Sequence, residues 1–230
     1  LDSTNVINPI VSVITNIGLD HTQFLGNTLA AIAAEKAGII KSSVPVVIGE
    51  THPETASVFL QSAQKLQSEI VFADKQLIIR RMTLTKHRPP LLSAEFVSLT
   101  SDQKYSLTSP LSGKYQLKNL ATSISVIEKL QSCGLNIQKK HIVRGIRKTI
   151  KNTGLMGRWQ TICSNPLTIA DIGHNPDGIR EVLEQIAVTP HRKLHFVIGV
   201  VNDKDVAAML AKLPKNAIYY YCKADIPRGM

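Results

Sequence analysis

The chain has 230 residues, of which 43% are hydrophobic and 19% charged, a globular composition that excludes wholesale disorder. Its 27 Lys and Arg residues outnumber its 17 Asp and Glu residues, so the net charge is +10 and anionic partners are favoured. No apolar run approaches the roughly 18 residues that cross a bilayer, so we expect no membrane partner. Three widely separated cysteines without a C-x-x-C pair argue against a disulfide framework or a zinc site and favour the cytoplasm.

Nucleic acid is the first anionic partner to consider. The chain offers only five Phe, five Tyr and one Trp for base stacking, and it contains no zinc-finger, RRM or basic-zipper motif. Its basic residues are also spread over the whole chain. Nucleotides and polycarboxylates explain the charge equally well, so we expect no nucleic-acid partner. A basic nucleic-acid-binding module remains the alternative of another class.

Strand-like and helix-like segments alternate along the chain, which predicts an α/β fold with a mostly parallel sheet. A continuous β-branched run at 10–17 is typical of a strand buried on both faces. An alanine-rich segment predicts the first helix and an amphipathic segment the second. In chain order we predict strand 10–17, helix 28–40, strand 44–48, helix 53–66 and strand 70–73.

The pattern changes at residue 76, where short runs broken by polar turns predict a small antiparallel sheet up to residue 108. Helices are predicted at 116–133 and 138–148, and the polar stretch 151–154 predicts a linker. We therefore expect one domain over 1–153 and another over 154–230. The second is predicted to contain strands 167–172, 194–201 and 217–222 and helices 177–187 and 204–213.

Two polar clusters follow predicted strands, where ligands bind in open α/β sheets. His21 comes just after the first strand and could ligate a metal, or it is a loop histidine without a role. Asp171 and His174 precede a helix that Asn175 is suited to cap and Pro176 to begin. Free N–H groups at that helix start predict an anion site, although an ordinary strand-to-helix turn carries the same Asn-Pro pair.

Three further residues have both a functional and an ordinary interpretation. Lys36 ends a predicted helix, where the helix dipole favours a lysine. Arg158 follows the predicted linker and could close over a phosphate, or it is a surface arginine. Asn119 is a poor helix former inside a predicted helix. The chain contains no G-x-x-x-x-G-K-[ST] motif and therefore no P-loop.

Taken together, several longer blocks resemble the folylpolyglutamate synthase/dihydrofolate synthase family of the Mur ligase superfamily. They are LDSTNVI (1–7), TNIGLDHTQFLGNTLAAIAAEKAGIIK (15–41), SGKYQLKNLATSISVIEKL (112–130), GLMGRWQ (154–160), DIGHNP (171–176) and IGVVNDKD (198–205). The resemblance implies a Mur-ligase-like α/β fold, with the C-terminal part of an ATPase domain followed by the start of a Rossmann-like domain. It also implies a fragment that lacks the P-loop part and the C-terminal end and is inactive alone.

The implied parent is a monomeric ligase that uses ATP and Mg²⁺ to join L-glutamate to dihydropteroate, to a folate, or to both, through an acyl phosphate. By the resemblance, His21 is a magnesium ligand, Lys36 is an N-carboxylated lysine near the metal, and His174 faces the incoming glutamate. The positions that match ATP contacts are Asn119, Arg158 and Asp171, and those that match the edge of the pterin-substrate site are Leu1, Asp2 and Ser3.

The match has one departure and one close competitor. Ile172 and Gly173 stand where the family often has a small residue and alanine before HNP, which keeps the turn. A Mur ligase of cell-wall synthesis has the same fold and a different acceptor, so it is the alternative enzyme. The D-H-T-x-x-L-G spacing at 20–26 and the GKYQxxN block favour the folate branch.

Overall fold

A computed structural model of the chain describes residues 3–18, 28–86, 89–200, 206–223 and 225. Its first sheet is parallel, in the order β1 (Ser12–Ile14), β2 (Val46–Ile48), β3 (Ile70–Phe72). Val13 pairs with Val47, which pairs with Val71. The predicted α/β architecture is confirmed here, with a first strand shorter than the apolar run.

Two helices pack beside this sheet and against each other, α1 (Leu29–Ala37) and α2 (Pro53–Lys65). Thr28 begins α1 because its hydroxyl accepts a hydrogen bond from the Ala31 N–H at 3.1 Å. The core between helices and sheet contains the fully buried Phe59, whose burial contributes about 2–3 kcal/mol. Both helices were predicted, with ends one to three residues further along.

The end of β2 lies unusually close to the end of β1. A Cβ atom on Gly49 would overlap the Thr15 carbonyl oxygen and lie 2.6 Å from the Thr122 hydroxyl oxygen. The Gly49 N–H donates to the Ile14 carbonyl at 2.8 Å, which closes the pairing of the two strands. A glycine is therefore required where the strand ends meet the helix that carries Thr122.

The predicted antiparallel sheet is confirmed as β4 (Leu77–Leu84), β5 (Leu92–Ser98) and β6 (Lys104–Ser109), preceded by the short α3 (Ala73–Gln76). Alternate residues of the central strand are buried, as expected of a sheet with one covered face. Two helices cover that face, α4 (Gln116–Ser132) and α5 (Lys139–Arg147). Both helices agree with the prediction to within a residue or two.

Glu128 of α4 fastens the helix to this sheet. Its carboxylate accepts hydrogen bonds from the Ser98 hydroxyl at 3.0 Å and the Ser101 hydroxyl at 2.7 Å. The Tyr105 hydroxyl donates to it at 2.8 Å, and the Gln76 amide at 2.5 Å. Burial raises the pKa of Tyr105, and its hydrogen bond to Glu128 and the charge of that carboxylate raise it further.

The predicted linker at 151–154 is wrong for most of its length. Residues Thr149–Thr153 form a short helix, α6, which stops at Gly154 in the left-handed conformation with φ of 67°. A polar composition is typical of a loop, but the Thr149 and Thr153 hydroxyls each donate a hydrogen bond to a carbonyl in the preceding turn. Only Gly154 marks an actual break in the helix.

The remaining elements are β7 (Gln160–Ser164), β8 (Leu167–Ala170), α7 (Pro176–Ala187), β9 (His195–Ile198), α8 (Val206–Leu210) and β10 (Ile218–Tyr221). Strand β7 was not predicted, and it pairs antiparallel with β8, not in the expected parallel sheet. The cause is the tight connection at Asn165-Pro166, because two strands joined by two residues can pair only as a hairpin. Strands β9 and β10 are parallel, as predicted.

All three cysteines are free and exposed. Within the described residues no helix combines the length and apolarity needed to span a membrane.

Candidate functional site

The start of α4 meets α7 across the junction of the two halves of the chain. The Lys114 backbone N–H donates to the buried Gln185 side-chain oxygen at 2.9 Å. One turn further along, the Lys118 ammonium lies 3.2 Å from Glu181 of α7 and 3.0 Å from Glu50, just after β2. The two carboxylates raise the pKa of Lys118 even though burial opposes them. Lys118 therefore links the first sheet to α7.

Asp171 is held by three donors from both sides of this junction. One carboxylate oxygen accepts from the Tyr115 hydroxyl at 2.7 Å and from the Trp159 N–H at 2.8 Å. The other accepts from the Gly173 N–H at 2.8 Å. Burial raises the pKa of Tyr115, and the bond to Asp171 and its negative charge raise it further. Asp171 is thus held in place as a hydrogen-bond acceptor at the carboxyl end of β8.

Arg158 lies in a constrained turn between Gly157 (φ of 68°) and Trp159 (φ of 49°). The Gly157 carbonyl accepts from the Ile172 N–H at 3.0 Å, so the turn is attached to the segment that follows β8. A Cβ atom on Gly157 would lie 2.6 Å from Ile172 Cγ2, which only glycine avoids. Arg158 is half-buried, and its positive charge partly offsets the raised pKa of Tyr115.

The start of α7 forms as predicted. Asn175 caps the helix, because its side-chain oxygen accepts from the Gly178 N–H at 2.7 Å, and Pro176 is the first helical residue. Asp177 lies close to Gly18, because a Cβ atom on Gly18 would be 2.7 Å from the Asp177 carboxylate. The segment following β1 therefore lies beside the start of α7. His174 is exposed there, with Nδ1 at 3.0 Å from the Ile172 carbonyl oxygen.

Three predicted site residues lie around Tyr115. Asp171 accepts its hydrogen bond, Arg158 acts on its hydroxyl by charge, and Asn119 follows it by one helical turn on α4. Asn119 is exposed, and its amide nitrogen donates to the Gln116 side chain at 2.9 Å. The structure therefore gathers a cation, a fixed carboxylate and an accessible amide at one junction, a set of donors and acceptors suited to a polar anionic ligand.

Of the other predicted site residues, Lys36 and Ser3 are described and are not part of this cluster. Lys36 is half-buried in the last turn of α1. Ser3 begins a 3₁₀ turn (Ser3–Val6), whereas Leu1, Asp2 and His21 lie outside the described residues. No three His, Cys, Asp or Glu side chains of the described ranges could together hold a metal ion. The described side chains by themselves therefore do not complete a Mg²⁺ site.

Sequence reasoning missed Tyr115, Lys118 and Gln185, which join the two halves of the chain. Lys118 and Tyr115 stand in the KYQLKN block, but nothing local indicates that they reach residues more than fifty positions away. A partly apolar cavity of about 390 Å³ also lies at this junction, lined by Trp159 and Gln185 among others. None of the predicted site residues lines it.

Two domains of one family together match most of the chain. The Mur ligase middle domain matches residues 2–127, and the Mur ligase glutamate ligase domain matches residues 157–230. The chain belongs to the Mur ligase family. The predicted Mur-ligase-like fold is confirmed by these matches and by the structural neighbours below.

The relatives include the folylpolyglutamate synthase of Lacticaseibacillus casei, 34% identical over 100% of this chain and 52% of that protein. The dihydrofolate synthase/folylpolyglutamate synthase of Escherichia coli is 31% identical over 100% of this chain and 50% of that protein. An FPGS–AMPPCP–folate complex superposes with a TM-score of 0.84 at 30% identity, over 96% of this chain and 52% of the other.

The structure of Escherichia coli FolC in complex with DHPP and ADP gives a TM-score of 0.80 at 30% identity, over 100% of this chain and 51% of the other. The chain thus spans about half the length of the proteins it matches. The predicted resemblance to the folylpolyglutamate synthase/dihydrofolate synthase family is confirmed.

Proposed function

We propose that the chain is part of an ATP-dependent ligase that joins L-glutamate to a folate, to dihydropteroate, or to both. The observation that carries the proposal is the superposition of nearly the whole chain on an FPGS–AMPPCP–folate complex at a TM-score of 0.84. The match to the Mur ligase glutamate ligase domain over 157–230 gives independent support for glutamate as the added amino acid.

The cluster at the junction suits the nucleotide. Arg158 is a fixed cation for a phosphate, and Asp171 is a fixed acceptor. Asn119 supplies an accessible amide on the facing helix. In the proposed reaction the acceptor carboxylate takes the γ-phosphoryl group of ATP, and the glutamate amine then displaces phosphate from the acyl carbon, losing a proton. His174, exposed at the start of α7, is the proposed contact for glutamate.

Further properties of the parent belong to the same proposal. We place the domain boundary at 153/154, which is supported by the interval 128–156 between the two family matches and by the break at Gly154. Lys36 and His21 are the proposed magnesium-associated residues, and Leu1, Asp2 and Ser3 the proposed edge of the pterin site. The proposed location is the cytoplasm, consistent with three unpaired cysteines, and the proposed state is a monomer.

The test is glutamate-dependent ADP release and incorporation of labelled glutamate by the full-length gene product. Folate and dihydropteroate are supplied separately as acceptors. Replacing Arg158 with alanine is expected to raise the KM for ATP by about tenfold or more, since a charge-assisted contact is lost. The exposed Arg192 is the matched control and is expected to leave the KM unchanged. No incorporation with either acceptor would refute the proposal.

A further inference from the structure

Helix α5 (Lys139–Arg147) has one strongly basic face. Lys140 and Arg144 are four residues apart, and Arg147 follows Arg144 by three residues, so these cations lie side by side along the helix. With the half-buried Lys148, which ends the helix, they form an open groove of about 650 Å³, lined by Lys139, Lys140, Val143, Arg144, Arg147 and Lys148. We call these residues the α5 groove.

The opposite side of the helix faces inward. Ile142 is buried, and Ile146 packs against the core between α4 and the antiparallel sheet. Val143 lies at the border between the two sides, since it contacts the core and also lines the α5 groove. Helix α5 rests on strand β6 (Lys104–Ser109), which contains no acidic residue. Packing therefore fixes the helix with its charged side towards solvent, where Lys139, Lys140, Arg144 and Arg147 are exposed.

Among the residues that the structure describes, no carboxylate forms an ion pair with these cations. The chain contains no Asp or Glu between Glu128 and Asp171. Among the described residues, the ion pairs of Lys and Arg involve Lys118, Lys129 and Arg180, and none involves the α5 groove. A cluster of like charges held together by the core costs stability through mutual repulsion, which an anionic ligand would relieve.

The segment between the end of α5 and Arg158 is also basic. From the carboxyl end of α5 the chain passes through α6, which carries the exposed Lys151, into the turn that holds Arg158. Arg158 lies beside Tyr115 and Asp171 at the junction. The sequence between the end of α5 and Arg158 therefore carries cations and no carboxylate.

The chemistry of the groove favours a flexible polycarboxylate. A lipid surface is disfavoured because the apolar side of α5 is buried in the core and is not available for insertion. A single nucleic-acid strand is disfavoured because the groove contains no aromatic side chain on which bases could stack. Exposed lysines and arginines one helical turn apart can form ion pairs with repeated carboxylates on an extended chain, and such binding requires no aromatic side chains.

We infer that the α5 groove binds the oligoglutamate portion of a substrate or product, with its carboxylates paired to Lys140, Arg144 and their neighbours. The inference rests on the proposed function, since relatives of this chain are named folylpolyglutamate synthases. It adds a site for the part of the ligand that extends away from the reacting carboxylate. The groove would favour acceptors that already carry several glutamates over those that carry one.

Binding of fluorescent penta-L-glutamate to the full-length gene product, followed by anisotropy, tests the site directly. The variant Lys140→Glu/Arg144→Glu is expected to weaken binding by about tenfold, and raised salt is expected to weaken binding by the wild type. The control Lys75→Glu/Lys215→Glu changes the net charge equally at exposed positions elsewhere and is expected to bind like the wild type. Equal weakening in both variants, or no binding by the wild type, overturns the inference.

Two further measurements separate this inference from the proposed function. Tighter binding of a short DNA duplex or of phosphatidylserine vesicles, lost in the Lys140→Glu/Arg144→Glu variant, would assign the groove to another polyanion and overturn the inference. In the ligase assay the same variant is expected to raise the KM for a pentaglutamylated acceptor while leaving that for a monoglutamylated acceptor unchanged. Ligase activity with equal KM changes for both acceptors refutes the inference alone. Penta-L-glutamate binding at the groove without any ligase activity refutes the proposed function alone.

Discussion

Replacing Tyr115 with phenylalanine removes one hydroxyl from the junction and little else. The ring stays in place, while Asp171 loses the one donor that comes from the first half of the chain and keeps the Trp159 and Gly173 N–H groups. A hydrogen bond to a charged group contributes about 1.5–3 kcal/mol, and Tyr115 is only half-buried. We therefore expect Tyr115→Phe to lower the free energy of unfolding by about 1.5 kcal/mol at pH 7.

The pH dependence gives a second signature of the same bond. The pKa of Tyr115 is raised above its ordinary value of about 10, so its contribution is complete below pH 10 and is lost as the pH rises further, when the unfolded tyrosine ionises and the folded one does not. The loss is at most about 1.4 kcal/mol per pH unit, and solvent screening of a half-exposed group reduces it to about half of that. The variant is expected to lack this part of the alkaline slope.

Urea unfolding followed by fluorescence is the appropriate assay, because Trp159 is the single tryptophan, is buried and itself donates to Asp171. The matched control is Tyr221→Phe, since Tyr221 is 73% exposed. An unchanged unfolding midpoint for Tyr115→Phe, together with an alkaline slope equal to that of the wild type, would show that the hydroxyl does not hold the junction.

Substitutions at several other positions give further tests. Gly49→Ala is expected to lower the free energy of unfolding by about 2 kcal/mol or more, because the new Cβ atom would overlap the backbone. Gly145→Ala lies inside α5 with nothing within 4 Å of the new Cβ atom, so it is expected to raise that free energy by about 0.5–1 kcal/mol. Changes of the same sign for both variants in calorimetry would contradict this. Glu128→Gln is expected to lower the free energy of unfolding in urea by about 2 kcal/mol, because the new amide nitrogen faces hydrogen-bond donors. A loss below about 0.5 kcal/mol, half of an average hydrogen bond, would contradict this. Lys36→Ala is expected to abolish most ligase turnover of the full-length gene product while changing the free energy of unfolding by less than about 0.5 kcal/mol. Lys65→Ala, in the last turn of α2, is the matched control. Near-wild-type turnover of the Lys36→Ala variant would refute the role of Lys36.

Local sequence patterns were sufficient for most of the helices and for the start of α7. The Asn175-Pro176 pair predicts the start of α7, and the structure shows the cap bond to Gly178. Hydrophobic periodicity predicts α4 and α5 to within two residues, because the burial of one helix face is encoded every three to four positions. The family resemblance also comes from the sequence, since its blocks retain their order over nearly the whole chain.

Contacts across the junction were decided only by the tertiary structure. Tyr115 and Asp171 are 56 positions apart, and no pattern within one helical turn indicates that they share a hydrogen bond. Strand β7 was missed because its five residues become a strand only by pairing with β8. The exposure of the α5 groove was likewise decided by packing, because the core fixes which side of the helix faces solvent. Sequence encodes what neighbouring residues prefer, whereas the registration of distant segments depends on how the whole chain packs.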